Sequence, residues 1–267
     1  MDNLVKRAKE LLENNTVQVV IGYEAGPTGV IRPAFITDPE KAVRLVYNEK
    51  CVQNLAVYLT KQEVKNFGRM AIVATLPVMR SIMMLISEQQ LFAENIEVLG
   101  ISADGSLLDI ADIQVMRGYI EKSDLSNPEK YKSLLAELNR LSPEEKFAYW
   151  QKELSKCIKC YACRQACPMC YCTRCTVEVN QPQWIPVKAN TQGNMEWHIL
   201  RSMHLAGRCI SCGECGRACP VGIPCHLLTM HLTDQVYNYF KVYAGASDKM
   251  NSVMSAYEPN DKESFII

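Results

Sequence analysis

The cysteines of this chain are concentrated in one region, and this concentration indicates metal binding. Thirteen cysteines occur in 267 residues, and all except Cys51 fall between Cys157 and Cys225. A secreted disulfide protein would spread its cysteines and begin with a signal peptide. This chain begins with the charged, helix-like segment MDNLVKRAKELLENN. We therefore expect a reducing, cytoplasmic compartment in which the thiols bind metal rather than each other.

Two stretches of the cysteine-rich region share one pattern. Residues 157–168 (hook 1) read CIKCYACRQACP and residues 209–220 (hook 2) read CISCGECGRACP, with seven of the twelve positions identical. Both follow C-x2-C-x2-C-x3-C-P, which is the bacterial ferredoxin pattern for 4Fe–4S clusters. In that pattern three cysteines wrap around one cluster and the fourth binds the other cluster, so that two motifs fold as an interlocked pair.

The interlocked pattern assigns eight thiolates to two 4Fe–4S clusters. We expect cluster 1 to be held by Cys157, Cys160, Cys163 and Cys219. We expect cluster 2 to be held by Cys209, Cys212, Cys215 and Cys167. The prolines after each fourth cysteine, Pro168 and Pro220, lack an N–H and turn the chain away. Four-cysteine zinc sites use paired C-x2–4-C hooks, so the triple hook favours clusters over zinc.

Three further cysteines, Cys170, Cys172 and Cys175, follow hook 1 in the segment CPMCYCTRC. Soft thiolates at this density suit a third metal site, either another iron–sulfur cluster or zinc. Cys225 in VGIPC is one candidate for a fourth ligand, and a histidine or a partner's residue is another. The alternative is that these thiols only pack beside cluster 1. We interpret the isolated Cys51 as a buried apolar residue.

Charge is balanced over the chain and unbalanced around the hooks. Lys+Arg and Asp+Glu both count 29, which argues against a broad nucleic-acid or anionic-membrane surface. Between residues 157 and 225 there are seven basic residues and only three acidic ones. That local excess offsets two oxidised clusters of formal charge about −2 each. No run reaches the ~18 apolar residues of a membrane span, so we expect no membrane insertion.

The N-terminal half contains patterns of both helix and strand. Residues 1–15 predict an amphipathic helix, and the apolar runs VQVVIGY and GVIRPAFI predict a hairpin across residues 24–29. A glycine-rich phosphate loop is the alternative for those turn residues, but no helical pattern follows it. Residues 70–74, 77–88 and 96–101 then predict a strand, a helix and a strand. This order indicates a βαβ crossover in an α/β domain with a mostly parallel sheet.

The cysteine-rich half is predicted to be mainly helical. Ser142 and Pro143 begin a predicted helix over residues 143–155, which leads into hook 1. Residues 195–206 (MEWHILRSMHLA) predict a second helix between the hooks, for which a compact β-type ferredoxin has little room. We therefore expect a helical dicluster 4Fe–4S ferredoxin domain. The predicted organisation is an α/β scaffold domain at 1–105, a helical linker at 106–150, the ferredoxin domain at 151–240 and a tail at 241–267.

The segments CIKCYACRQACPMCYCTRC and RSMHLAGRCISCGECGRACPVGIP resemble a family of iron–sulfur electron-transfer subunits. These subunits are encoded with heterodisulfide-reductase-like and formate- or hydrogen-oxidising complexes of anaerobes. In that family a dicluster module follows a region related to the beta subunit of deazaflavin-reducing hydrogenase and formate dehydrogenase. The segments GYEAGPTGVIRPAFITDPEKAVRLVYNEKCVQNLAVYL and FGRMAIVATLPVMRSIMMLISEQQLFAENIEVLGISADG resemble that region.

The resemblance implies a one-electron relay whose partners are a flavin-containing heterodisulfide-reductase-like subunit and other redox subunits. The alternative is a catalytic subunit whose third metal site, at Cys170, Cys172 and Cys175, acts on a disulfide. Relatives often carry cysteines where this chain reads ATLPVMR and ISADG. Both are absent here, so the N-terminal domain is expected to be a docking scaffold without flavin. The apolar end of the tail, Phe265-Ile266-Ile267, either packs on a partner or on the chain itself.

Overall fold

A computed structural model describes residues 2–179 and 181–249, and the described chain divides into two compact units. Unit 1 contains residues 2–124 and 245–249, and unit 2 contains residues 125–179 and 181–244. The predicted boundaries at residues 105, 150 and 240 stay predictions, and the predicted contact of Phe265-Ile266-Ile267 lies outside the described residues. Within the described ranges, no helix is both long enough and apolar enough to cross a membrane.

Unit 1 is built on a five-stranded sheet in the order β2-β1-β3-β4-β5. The strands are β1 (Val19–Ala25), β2 (Ile31–Ile36), β3 (Met70–Ala74), β4 (Ile96–Ile101) and β5 (Leu107–Leu108). The pairs β1–β3 and β3–β4 are parallel, whereas β1–β2 and β4–β5 are antiparallel. The predicted α/β class and the β1–β2 hairpin are confirmed. The sheet is mixed because a hairpin adds an antiparallel strand at each edge.

Helices cover the sheet of unit 1 and complete its core. They are α1 (Asp2–Glu13), α2 (Gln62–Lys65), α3 (Leu76–Ser87) and α4 (Ile113–Glu121), with 3-10 turns at Pro39–Arg44, Leu55–Tyr58 and Ala93–Asn95. The helix α3 joins β3 to the parallel strand β4, so the predicted βαβ crossover is confirmed. Its methionines Met79 and Met83 are fully buried, and Cys51 is also buried, as predicted.

Unit 2 is helical, and its described residues contain no strand. Its helices are α5 (Glu129–Arg140), α6 (Pro143–Ser155), α7 (Ala162–Gln165), α8 (Thr191–Met203), α9 (Glu214–Arg217) and α10 (His226–Phe240). The helix α6 has the predicted bounds because Ser142 caps it: Oγ accepts from the Glu145 N–H at 3.2 Å, and the Glu145 carboxylate accepts from the Ser142 N–H at 2.8 Å.

The helix between the hooks begins earlier than the sequence pattern predicts. The Asn190 side chain accepts a hydrogen bond from the Gly193 N–H at 2.8 Å, so α8 starts at Thr191 rather than at residue 195. It ends at Met203 rather than at residue 206. The predicted helix therefore exists, but its cap lies in the polar segment that precedes the apolar pattern.

The core of unit 2 is made partly of cysteine. Its buried residues are Leu154, Cys163, Val177, Ile185, Trp197, Cys215, Ile223 and Cys225, and Cys157, Cys175 and Cys219 pack against them. The helices α6 and α8 pack against each other, as do α7 and α9. The side chains that could bind metal thus also fill the interior of the unit.

Candidate metal centre

The two hooks repeat one backbone conformation. The residue two positions after the first cysteine of each hook is left-handed, with φ of 53° at Lys159 and 59° at Ser211. This turn aims the N–H of Lys159 at the Cys157 sulfur, at 3.3 Å. The N–H of Ser211 is aimed at the Cys209 sulfur in the same way, at 3.4 Å. Backbone donors to cysteine sulfur are the hydrogen bonds that iron–sulfur sites use to set their potentials.

A second left-handed residue in each hook starts a short helix. Tyr161 has φ of 59° and precedes α7, and Gly213 has φ of 77° and precedes α9. In hook 2 the turn also needs a residue without a side chain, since a Cβ on Gly213 would lie 2.8 Å from the Tyr131 hydroxyl. The sequence repeat is therefore a structural repeat.

The first cysteines of hook 1 lie near the last cysteine of hook 2. The thiol of Cys157 interacts electrostatically with those of Cys160, Cys163 and Cys219. Burial raises the pKa of Cys157, and the neighbouring thiols raise it further. These four residues are the set that the interlocked pattern predicts for cluster 1.

The second set of thiols is more deeply buried. The thiol of Cys212 interacts with those of Cys209 and Cys215, and Cys167 of hook 1 interacts with Cys212. Burial raises the pKa of Cys212 to about 12 and also raises the pKa of Cys209. Buried thiols of this kind ionise when a cation such as iron compensates the thiolate charge. The four residues are those predicted for cluster 2.

All thirteen cysteines are free thiols, as the sequence predicts. Across the described residues, no three His, Cys, Asp or Glu side chains form a group that could hold a metal ion. The predicted ligand sets therefore rest on the repeated backbone and on the electrostatic proximity of the thiols. The assignment of individual ligands stays a prediction.

The three cysteines after hook 1 line one cavity of about 240 Å³. Its other lining residues are Arg164, Met169, Val177, Trp197, Arg201, His204, Leu205 and Arg208. The thiol of Cys170 forms a hydrogen bond with Cys167, which lowers the pKa of Cys170 to about 6. Cys172 is exposed, and Cys175 is half-buried. A third metal site at these residues stays a prediction.

Cys225, the candidate fourth ligand for that site, is a core residue of unit 2. It is 1% exposed, and its thiol donates to the Cys215 carbonyl oxygen at 3.2 Å. Its side chain also hydrogen-bonds with Cys163. It is not among the residues that line the cavity of Cys170, Cys172 and Cys175. Cys225 thus contacts both hooks, and its role as a ligand of a third site stays a prediction.

One face of α8 presents buried polar groups between the hooks. We call Asn194, Trp197, His198 and Arg201 the donor face, since residues at these spacings share one side of a helix. The Asn194 amide donates to the carbonyl oxygen of Cys157 at 2.9 Å. Four buried atoms of this face have no hydrogen-bond partner among the described residues: Nε1 of Trp197, Nε2 of His198, Nε of Arg201 and the acceptor Oδ1 of Asn194.

Unpartnered buried donors are costly unless an acceptor is supplied. The sulfides and thiolates of an iron–sulfur cluster are acceptors for such groups. Burial, with the nearby charges of Arg201 and Lys159, lowers the pKa of His198 to about 4, so this imidazole is neutral at physiological pH. Free thiols, left-handed hook turns and orphaned donors therefore fit iron–sulfur clusters.

The sequence pattern missed the role of the donor face. Asn194, His198 and Arg201 are not among the ligands that the cysteine pattern predicts. Their common spacing of three and four residues indicates only that they share one side of a helix, because the burial of that side depends on how α8 packs against the hooks.

Comparison with known proteins identifies the hook region. Residues 153–223 match the family described as a 4Fe-4S dicluster domain. The chain is 40% identical over 76 residues to the F420-dependent formate dehydrogenase subunit beta of Methanocaldococcus jannaschii, which covers 28% of this chain and 19% of that protein. It is 39% identical over 62 residues to the F420-dependent formate dehydrogenase 1 subunit beta of Methanococcus maripaludis, covering 23% and 15%.

These matches confirm the coarser predictions. Residues 153–223 form an iron–sulfur electron-transfer region of the 4Fe–4S dicluster type, related to formate dehydrogenase beta subunits. The predicted helical ferredoxin domain is confirmed with it. The chain matches less than a fifth of the length of these two relatives.

Proposed function

We propose that this chain relays single electrons through two 4Fe–4S clusters, as one subunit of a larger anaerobic oxidoreductase complex. The observation that carries the proposal is that one cysteine of each hook lies beside the cysteines of the other hook. Cys219 of hook 2 lies near Cys157, and Cys167 of hook 1 lies near Cys212. Interlocked hooks hold two clusters close together, which is what transfer between them requires.

The clusters supply the one-electron chemistry, and the chain supplies their surroundings. Cluster 1 would be held by Cys157, Cys160, Cys163 and Cys219. Cluster 2 would be held by Cys209, Cys212, Cys215 and Cys167. The hook turns direct backbone N–H groups at cysteine sulfurs, and the donor face of α8 adds buried side-chain donors. Apolar side chains pack around Cys163, Cys215 and Cys225.

The partners follow from the relatives, whose names mark them as subunits of formate dehydrogenases. We propose a formate- or hydrogen-linked complex in the reduced cytoplasm. Its flavin-containing, heterodisulfide-reductase-like subunit would exchange electrons with this chain, and other redox subunits would complete it. The proposal is tested by anaerobic purification of the intact complex and identification of the co-purifying subunits. Recovery of the chain without any redox subunit would count against it.

Iron content tests the clusters directly. Anaerobic reconstitution of the full chain should give about eight irons and two EPR signals on reduction. Cys160→Ser should lose about four of these irons, because it removes an exposed predicted ligand without opening a core cavity. The matched control is Cys51→Ser in unit 1, which should keep all of them. Zinc in place of iron, or full iron in the Cys160→Ser variant, would refute the assignment.

A second candidate function is favoured by the cavity that Cys170, Cys172 and Cys175 share. The chain could be a catalytic subunit that holds a third metal site there and reduces a disulfide, which takes two electrons and two protons and yields two thiols. This version predicts about twelve irons if the third site is a cluster. It also predicts loss of both the extra iron and the disulfide-reducing activity in Cys172→Ser. Eight irons in both the wild-type chain and Cys172→Ser, with unchanged electron transfer in the variant, support the relay.

A further inference from the structure

Among the described residues, no carboxylate neutralises the charge of Arg201. The residue is 3% exposed, and its Nη2 donates to the carbonyl oxygen of Cys163 at 2.9 Å. Its Nε has no hydrogen-bond partner, and among the described residues it forms no ion pair with Asp or Glu. A guanidinium does not lose its proton in a protein, so a buried one requires a compensating negative charge.

The neighbouring arginines differ in this respect. Arg164 pairs with Glu178 at 3.2 Å and donates to the Cys172 carbonyl oxygen at 2.6 Å. Arg217 pairs with Glu214, one turn earlier on α9. Their charges are offset by carboxylates of unit 2. Arg201 is therefore distinguished from them by its uncompensated buried charge.

The groups that face Arg201 come from both hooks and from Cys170, which follows hook 1. Its guanidinium hydrogen-bonds with the thiols of Cys170 and Cys215, and it interacts electrostatically with Cys163 and Cys167. Cys163 belongs to the predicted ligands of cluster 1, whereas Cys167 and Cys215 belong to those of cluster 2. One cation thus lies beside ligands of both predicted clusters.

We propose that Arg201 is a positioning residue shared by the two clusters, whose fixed charge raises the reduction potential of each. This inference rests on the proposed two-cluster function. Reduction adds one electron to a cluster that is already negative, and a buried cation stabilises the added charge. Because Arg201 lies beside ligands of both clusters, its charge acts on both potentials. The chemical step is electron transfer alone, with no bond made or broken.

The test is an EPR-monitored redox titration of the full chain after anaerobic reconstitution. Arg201→Gln should lower the potentials of both clusters, with the equilibrium constant for each reduction falling at least tenfold, or about 59 mV for a one-electron couple. Arg201→Lys should keep both potentials close to the wild-type values, since lysine keeps the positive charge. The matched control is Arg140→Gln, which removes the same charge from an exposed position of α5 and should change neither potential.

The wild-type iron count and EPR signals are measured first, so a failure of the two-cluster function is separate from a failure of this inference. Unshifted potentials in a fully loaded Arg201→Gln variant would overturn the inference, as would a shift in only one cluster. Arg201→Met provides a second neutral variant with an apolar side chain, in case glutamine is not tolerated in the core. Loss of iron from both neutral variants would also overturn it, since the charge would then hold the clusters rather than set their potentials.

Discussion

The cores of unit 1 and unit 2 are made of different kinds of side chain. In unit 1 all five residues of β3, which read MAIVA, are buried, and the methionines of α3 pack against the sheet. In unit 2 the core contains Cys163, Cys215 and Cys225, with three more cysteines packed against it. Apolar side chains release free energy on burial without a partner, whereas ionised thiols need a metal. Unit 1 is expected to fold without metal, and unit 2 to depend on it.

The largest expected effect comes from removing iron. Anaerobic chelation should abolish most amide protection in α7, α8 and α9 and leave β1, β3 and β4 protected, because metal ligation supplies folding free energy only in unit 2. Hydrogen-exchange mass spectrometry of the full chain measures both units at once. A mock treatment without chelator is the control, and equal loss of protection in both units would contradict the comparison.

A core truncation in each unit sharpens the difference. Ile72→Ala in β3 should lower the free energy of unfolding of unit 1 by about 2–5 kcal/mol, because it leaves a cavity at a fully buried position. Iron content should not change. The matched variant Ile223→Ala, at a position 1% exposed in the unit 2 core, should instead accelerate iron loss. Denaturant unfolding and timed iron release measure the two effects. Iron loss from Ile72→Ala equal to that from Ile223→Ala would oppose this view.

A smaller effect is expected at the start of α6. Ser142→Ala removes the hydroxyl that accepts from the Glu145 N–H and should destabilise this helix by about 1 kcal/mol. The matched control is Ser155→Ala at the other end of α6, where the exposed hydroxyl bonds only to the Lys152 carbonyl oxygen. Ser155→Ala should destabilise the helix by less than about 0.5 kcal/mol. Local hydrogen exchange in α6 distinguishes the two, and equal effects would show that the cap contributes nothing.

The smallest effect concerns pH and falls in unit 1. Hydrogen bonds from Ser102 and from the Ser106 backbone and side chain lower the pKa of Asp104 to about 2, in the turn between β4 and β5. A lowered carboxyl pKa contributes stability above its unfolded value, which is lost as pH falls from about 4 towards 2. Asp104→Asn should remove this dependence from local exchange in β5. An unchanged acid profile in the variant would be evidence against it.

The sequence predicted those features that local chemistry determines. The hook pattern needs only cysteines at fixed spacing, and α6 begins at a serine followed by proline, so both were found with their bounds. The βαβ unit was recognisable because β3 is continuously apolar. The donor face and the position of Cys225 were not predictable in this way, because they depend on how α8 and the two hooks pack together. The short strand β5 was missed for the same reason: it pairs only with the end of β4.

The exchange of cysteines between the hooks has a consequence for evolution as well as for assembly. Cys219 lies near Cys157 and Cys167 lies near Cys212, so each predicted ligand set draws on both hooks. A mutation that deletes either hook would therefore leave each set without at least one sulfur. A descendant with a single cluster could not arise by deletion of one hook alone. It would also need a new cysteine to replace the missing ligand. Each of the two predicted centres would therefore depend on both copies of the repeat.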